Sequence, residues 1–533
     1  MSTGALTRGA APPEDAGPAE AAAELVAELI ARPAGRTSVS AYETGRLVSL
    51  APWLTRHAER IRHLLAAQRP DGGWGGPEGY ALVPTLSAVE GLLAVLDRDA
   101  PVGWSVDGVR HAVDRALRLL HGSAGPAGYP MPDLPAADLV VPALAERIGE
   151  RLTDPPAGLA GWRDAGPPPL PAGLDRRRLD RVRLLAGSGA GLPPKLAHAL
   201  EVLGPAARRQ PAVVPTTAGP VGASPAATAA WLGTPDGSRP ATLDYLRAVV
   251  AEHGGPVPCA TPITIFERSW VLSTLARAGV PLAVPPALVA GLRDALGPDG
   301  AATGPGLPTD ADTTAVTVYA LARLGRPTDP SCLSRYDTGA HFCTWRGEDG
   351  ASVTTNAHVL EALGWGTDRP DPAVLRRLTG WLLDQQRADG SWTDRWHASP
   401  YYATCCAVLA LHDHGGPAAR PAVRRAVDWV RDTQRPDGGW GRWRSTAEET
   451  AYALQVLLVG PGGPTVGPVV AGAARQLSIM DDSRDDPPLW HDKDLYHPET
   501  IVRAAVVAAT KLAGERLQGR PYSPAGPWSA LLE

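Results

Sequence analysis

The chain has 533 residues, 44% of them hydrophobic and 20% charged, with a formal net charge of −5. That length is too great for one ordinary core and points to about two to four domains, and the charge balance carries no electrostatic footprint for nucleic acid. Five cysteines (Cys259, Cys332, Cys343, Cys405 and Cys406) have no CxxC spacing. With no long apolar run for a spanning helix, free thiols in a cytoplasmic protein without stable membrane insertion are expected.

In chain order, residues 1–17 lack an apolar run, contain Glu14 and Asp15, and are expected to be a disordered tail. A helical period then dominates. "AAAELVAELIARPAG" places Leu25, Val26, Leu29 and Ile30 on one face, and most such segments close on Gly followed by Pro or polar residues. The stretch "QRPDGGW" (Gln68 to Trp74) follows an apolar helix and recurs as "QRADGSW" (Gln386 to Trp392) and "QRPDGGW" (Gln434 to Trp440). Locally this is a clip: glycine ends the helix, the Gln amide bonds freed backbone groups, and the Trp folds back over the turn. The segment from about 155 to 225 is rich in Pro and Gly, a long connection that separates domains or lines a site. One repeat stands far from the other two, so two ring-like helical domains are expected, one with a single clip and one with two.

Further along, "LPTDADTTAVTVYALARLG" (307–325) sets Asp310 and Asp312 at the start of an apolar helix. The residues leave three readings open: a metal site, a helix cap with Thr309 or Asp310 as cap and Asp312 in the first turn, or an acid kept protonated. "SVTTNAHVLEAL" opens the next helix, with Thr355 or Asn356 as candidate caps. The stretch "MDDSRDD" (480–486) has D-D-x-x-D spacing but lacks a partner motif and precedes two prolines, so it reads as a solvated acidic loop. Lysine occurs only at Lys195, Lys493 and Lys511, against 48 arginines.

The three Q-x-x-D-G-x-W clips and the D-x-D-T-T element resemble class II terpene cyclases, and most closely the bacterial class II diterpene cyclases of the copalyl diphosphate synthase type. "GYALVPTLSAVEGLL", "SPAATAAWL", "FERSW", "SPYYAT", "EETAYAL" and "LWHDKDLY" share the likeness, which runs from about residue 68 to 510. The resemblance implies an all-α fold of two α/α barrels. Residues 18–50 would be the first helix of the β domain, 51–255 the inserted γ domain, and 256–533 the rest of the β domain carrying the acid.

The implied reaction protonates the terminal alkene of geranylgeranyl diphosphate, closes two rings through carbocations and loses a proton, with diphosphate retained. By resemblance Asp312 is the general acid, with Asp310 and Thr313 bonded around it; Thr313 replaces the third acid common in the family. Asn356 is placed to bond Asp312. His198 resembles the histidine of a water-holding base pair and is a candidate base, but the partner position carries Cys259, a weak partner for water, so that pair is broken. Lys493 and Lys195 are implied at the diphosphate, with Mg2+ as cofactor and no identifiable ligands. Trp345, Trp365, Trp396, Tyr401 and Tyr402 are candidate cation-facing rings. Partners implied are the isoprenoid diphosphate, a second copy in a homodimer, and a separate class I synthase or other tailoring enzyme that takes the product. Rival readings are a squalene–hopene-like cyclase, a farnesyl diphosphate (drimane-type) cyclase, and a non-catalytic helical-barrel scaffold.

Overall fold

The computed structural model describes residues 17–98, 102–122, 125–367, 371–460, 466–480, 486–520 and 522. The expected tail, apart from Gly17, and most of "MDDSRDD" lie outside these residues. Among the described residues the fold is helical, with one antiparallel pair of two-residue strands, Trp490–His491 and Leu495–Tyr496.

Six helices close an inner ring: Thr264–Arg277, Ala311–Arg323, Val353–Trp365, Pro400–His414, Ala447–Val459 and Glu499–Leu517, the last packing back on the first. Pro18–Ala31, Pro286–Ala295, Pro372–Asp384, Gly416–Asp432 and Val466–Ile479 pack outside it. Four inner helices begin on side-chain caps, Asp310, Ser352, Ser399 and Thr446, each accepting a first-turn N–H. Such caps satisfy donors that a helix start leaves free. They align four N-termini at one mouth of the barrel.

A second ring is built from Ala41–Leu50, Leu82–Arg98, Ala137–Thr153, the 3-10 segment Pro194–Ala207 and Pro225–Leu232. Helix Ala41–Leu50 carries Tyr42 and Val48 into this second core, whereas Leu25 and Leu29 of Pro18–Ala31 belong to the first. The expected single helix over 18–50 is therefore corrected. The run is broken at 32–40, where Pro33 and the positive φ of Gly35 end one helix and Ser40 caps another. Among the described residues, Glu78–Arg98 is the one stretch long and apolar enough by composition to cross a membrane, and it packs within the second ring, with 94% of its most apolar window buried.

The clips join neighbours in three directions. Trp392 Nε1 donates to the Leu382 carbonyl (2.8 Å), the Trp392 N–H donates to Thr404 Oγ1 (2.9 Å), and Gln386 Nε2 donates to the Gly390 and Ala422 carbonyls. Trp74 and Trp440 repeat the pattern on Leu64 with Thr85 and on Val430 with Thr450. One outer helix is thus tied to the next outer helix and to the inner helix between them.

Candidate active site

Asp310 caps the acid helix. Its Oδ1 accepts from the Thr313 N–H at 2.6 Å, and Thr303 Oγ1 lies 3.5 Å from Oδ2 and 3.1 Å from Thr313 Oγ1. Burial drives the Asp310 carboxyl up to about 7 against the hydrogen bond from Thr313, and the negative charge of Asp312 pushes the same way. Asp312, in the first turn of the helix, presents Oδ1 2.6 Å from His358 Nδ1, and its side chain is 15% exposed. Burial works against charging His358, but the Asp312 carboxylate and its hydrogen bond together hold the imidazole above its ordinary value. Asp312 is thus paired with a histidine, not a guanidinium, through Oδ1.

Asn356 does not reach this pair. Its side chain accepts from the Phe342 N–H and donates to the Phe342 and Ser352 carbonyls, so it clamps the preceding loop. Ser352 caps the helix, and the partner of the acid is His358, one half-turn beyond Asn356. The sequence held a signal for it: His358 and Glu361 are two titratable groups at i, i+3 spacing on an otherwise buried, mostly apolar helix.

An aromatic wall stands beside the pair. Trp270 meets His358 edge-on (5.4 Å, 87°) and donates its indole N–H to Tyr402 OH at 2.9 Å. Phe266 packs on Trp270, and Trp490 packs on Phe266, Tyr402 and His397. Tyr452 lies against Tyr402, and Tyr496 against Trp490. Glu448 accepts from Trp490 Nε1 (2.7 Å) and lies 3.1 Å from His397 Nε2, which fixes both rings. Of the rings expected from sequence, Tyr402 belongs to this wall. Tyr401 packs outward on Trp429. Trp345 and Trp396 form a T-shaped pair under Lys195 Nζ, and Trp365 lies under Arg323 away from the mouth. The wall residues Trp270, Tyr452, Trp490 and Tyr496 were missed because ring closure, not sequence spacing, brings them together.

Two further sequence assignments, Lys493 and His198, are corrected. Lys493 is fully buried: Nζ lies 2.5 Å from Glu43, 3.0 Å from Glu201 and 2.8 Å from both Ser224 Oγ and the His198 carbonyl. It is saturated by groups of the second ring and has no face for a diphosphate. His198 is held at both nitrogens, Nδ1 by the Gly222 carbonyl (2.6 Å) and Nε2 by Asp492 Oδ1 (2.7 Å). A carbonyl only accepts, so Nδ1 carries a proton and the ring serves as the cation of an ion pair. Burial opposes that charge, but Asp492 raises the histidine overall. Cys259, which from sequence breaks the water-holding pair, is buried, its thiol pushed up first by desolvation.

The sequence profile of the Squalene-hopene cyclase C-terminal domain matches residues 347–458. The chain is 45% identical over 508 residues to the ent-copalyl diphosphate synthase of Streptomyces sp. (strain KO-3988), covering 93% of this chain and 96% of that one. The chain belongs to the class II diterpene cyclase family. The cyclase is also 42% identical to the labda-7,13-dienyl diphosphate synthase of Streptomyces clavuligerus over 97% of this chain and 96% of that one. The solved ent-copalyl diphosphate synthase from Streptomyces platensis superposes with a TM-score of 0.88 at 45% identity, over 93% of the cyclase and 99% of that chain. The scaffold reading is thereby set aside: this is an enzyme with two α/α barrels, and Asp312 lies at the N-terminal mouth of the first.

Proposed function

We propose that the cyclase turns geranylgeranyl diphosphate into a bicyclic labdane-type diphosphate, with Asp312 as the proton donor. The observation that carries this reading is the Asp312–His358 pair set against the aromatic wall. An alkene is a very weak base, so the donor must be a neutral carboxyl whose conjugate base is stabilised as it forms. With Nδ1–H of His358 on Oδ1, the acid proton on Oδ2 faces the reactant. The carboxylate left behind then keeps a charge-assisted hydrogen bond. The cation that develops lies against the faces of Trp270, Trp490 and Tyr402, whose π clouds attract positive charge.

The diphosphate end fits the exposed rim better than the buried network. Lys195 stands over Trp345 at 4.5 Å, with Arg395 near enough to add to the effect of burial in lowering the lysine. Among the described residues no group of three or more His, Cys, Asp or Glu is gathered to hold a metal ion. Magnesium, implied by the family likeness, is proposed to arrive with the diphosphate, since Mg2+ is commonly held by substrate phosphates, waters and one or two carboxylates. A product that keeps its diphosphate is suited to a separate class I synthase that ionises it.

Relatives at 45% and 42% identity are named for different products, so overall likeness does not fix the skeleton. The test is incubation with geranylgeranyl or farnesyl diphosphate plus magnesium, dephosphorylation, and gas chromatography–mass spectrometry. A bicyclic diterpene alcohol from the C20 substrate supports the reading; a drimane-type alcohol from the C15 substrate alone overturns it.

A further inference from the structure

The ring cation that Asp312 starts must lose a proton, yet His198 is committed to Asp492 and the Cys259 thiol is turned to the Asp494 carbonyl. A second carboxylate stands level with the acid. Asp312 and Glu448 are each the second residue of an inner helix, Ala311–Arg323 and Ala447–Val459, and these are the second and fifth of the six that close the ring. Those positions are opposite, so the two carboxyls flank the barrel mouth from facing walls. Neighbouring helix axes about 8–10 Å apart put opposite axes roughly 16–20 Å apart, a span that two carboxylate side chains and a fused pair of carbon rings fill. Glu448 shares a helix face with Tyr452, one turn on, and Tyr452 lines the lumen against Tyr402.

Glu448 is built as a carboxylate. Its Oε1 accepts from Trp490 Nε1 at 2.7 Å and from His397 Nε2 at 3.1 Å. The direction of the second bond is fixed by the Ser399 N–H, which donates to His397 Nδ1 at 3.0 Å and leaves the ring proton on Nε2. Burial opposes the charge, but the hydrogen bonds from His397 and Trp490 hold the carboxyl below its ordinary range, with His497 adding to the effect. Oε2 is left over. Among the described residues it faces His497 Nδ1 at 3.8 Å, beyond hydrogen-bond range, and that buried nitrogen has no partner of its own. Orienting two rings needs only Oε1, so a charged, half-used carboxylate beside the aromatic wall calls for a second role.

We propose that Glu448 is the base that ends the reaction, taking through Oε2 a proton from the carbon next to the last ring cation. The proposal rests on the reading of this protein as a cyclase with Asp312 as donor. A C–H bond beside the cationic carbon breaks, its electron pair closes the alkene, and an O–H bond forms on Oε2. Acid and base are thus a pair of carboxyls whose surroundings set them to opposite tasks. His397 and Trp490 occupy Oε1 and so aim Oε2; they are positioning residues. The hydrogen that faces Oε2 decides where the double bond forms. Once product leaves, water enters the mouth, Glu448 gives its proton to that water and Asp312 takes one from it. Each carboxyl then begins the next cycle as it began the last.

The test is the product set of Glu448→Gln from geranylgeranyl diphosphate, dephosphorylated and resolved by gas chromatography–mass spectrometry. Glutamine still accepts from Trp490 and His397 but is no base. The wild-type alkene is expected to fall about tenfold or more, and total cyclised product to fall less. Isomeric alkenes, and diols from water added to the last cation, should make up the difference. Glu448→Asp keeps the charge but draws the oxygens back, and its share of wild-type alkene should lie between the two. A merely structural role would lower all products in proportion. That result, or a folded Glu448→Gln that makes no cyclised product, overturns the proposal. Should Glu448→Gln fail to fold, Glu448→Asp decides alone, and a product set identical to wild type overturns the proposal. Asp312→Asn is expected to yield no cyclised product at all. If it cyclises normally while Glu448→Gln shifts the products as described, the donor assignment fails and the base stands.

Discussion

Asp310 and Asp312 stand two residues apart, and the fold gives them different work: one caps the helix and is closed in by threonines, the other faces His358. The cap has a price visible in pH. The Asp310 carboxyl, pushed to about 7 by burial, holds its proton more tightly folded than unfolded. Its contribution to stability is therefore fully present below the ordinary aspartate range of about 4 and is lost as pH rises to 7. Asp310→Asn keeps an equally good cap and removes that slope. Relative to wild type it should gain about 2–4 kcal/mol between pH 5 and pH 8, read from urea midpoints. Equal shifts at both pH values would contradict the assignment. At this scale the acid pair was legible in "TDADTT", but the partner of Asp312 was not. Asn356 looked equally able to reach it or to cap its own helix, and only the closure of the ring shows that a clamp on Phe342 takes that amide.

The elements were the most legible part of the chain. The clips do what their composition suggests, because each needs only contacts within one turn and to the adjacent helices. Gly390, at φ +98°, would place a Cβ 2.6 Å from the Arg425 carbonyl. Gly390→Ala is expected to cost about 1–3 kcal/mol, through left-handed strain and that clash, measured by thermal unfolding; a neutral change would show that the clip is slack. The strand pair Trp490–Tyr496 was not legible as an element. Its role is dictated from outside: Trp490 packs in the first barrel, Leu489 and Leu495 in the core of the second, and Lys493 is sealed between the rings. A rare lysine in "LWHDKDLY" invites a ligand-binding reading, and only the burial reveals a different role.

For the whole molecule, the two-ring plan followed from helical period, clip spacing and family likeness, while the boundary at 32–40 and the way the rings dock did not. Docking depends on residues far apart in sequence: Lys493 bridges Glu43 and Glu201, and Tyr42 OH donates to Glu201 at 2.6 Å. Burial lifts Glu43 to about 7 despite the lysine beside it, and Glu201 is held low chiefly by the lysine, against its own burial. Lys493→Met strands these carboxylates and should cost about 3–5 kcal/mol, seen as a lower urea midpoint; activity should fall in step with stability. If stability holds and only the Michaelis constant for the substrate rises, Lys493 contacts the diphosphate after all.

Docking, clips and caps together serve one act, the delivery of a proton from Asp312. Product formation by Asp312→Asn from geranylgeranyl diphosphate, measured by mass spectrometry beside its circular dichroism, tests that act directly. A folded variant with turnover reduced by about 10²–10⁴ is the predicted result. A folded variant that cyclises at the wild-type rate would contradict it.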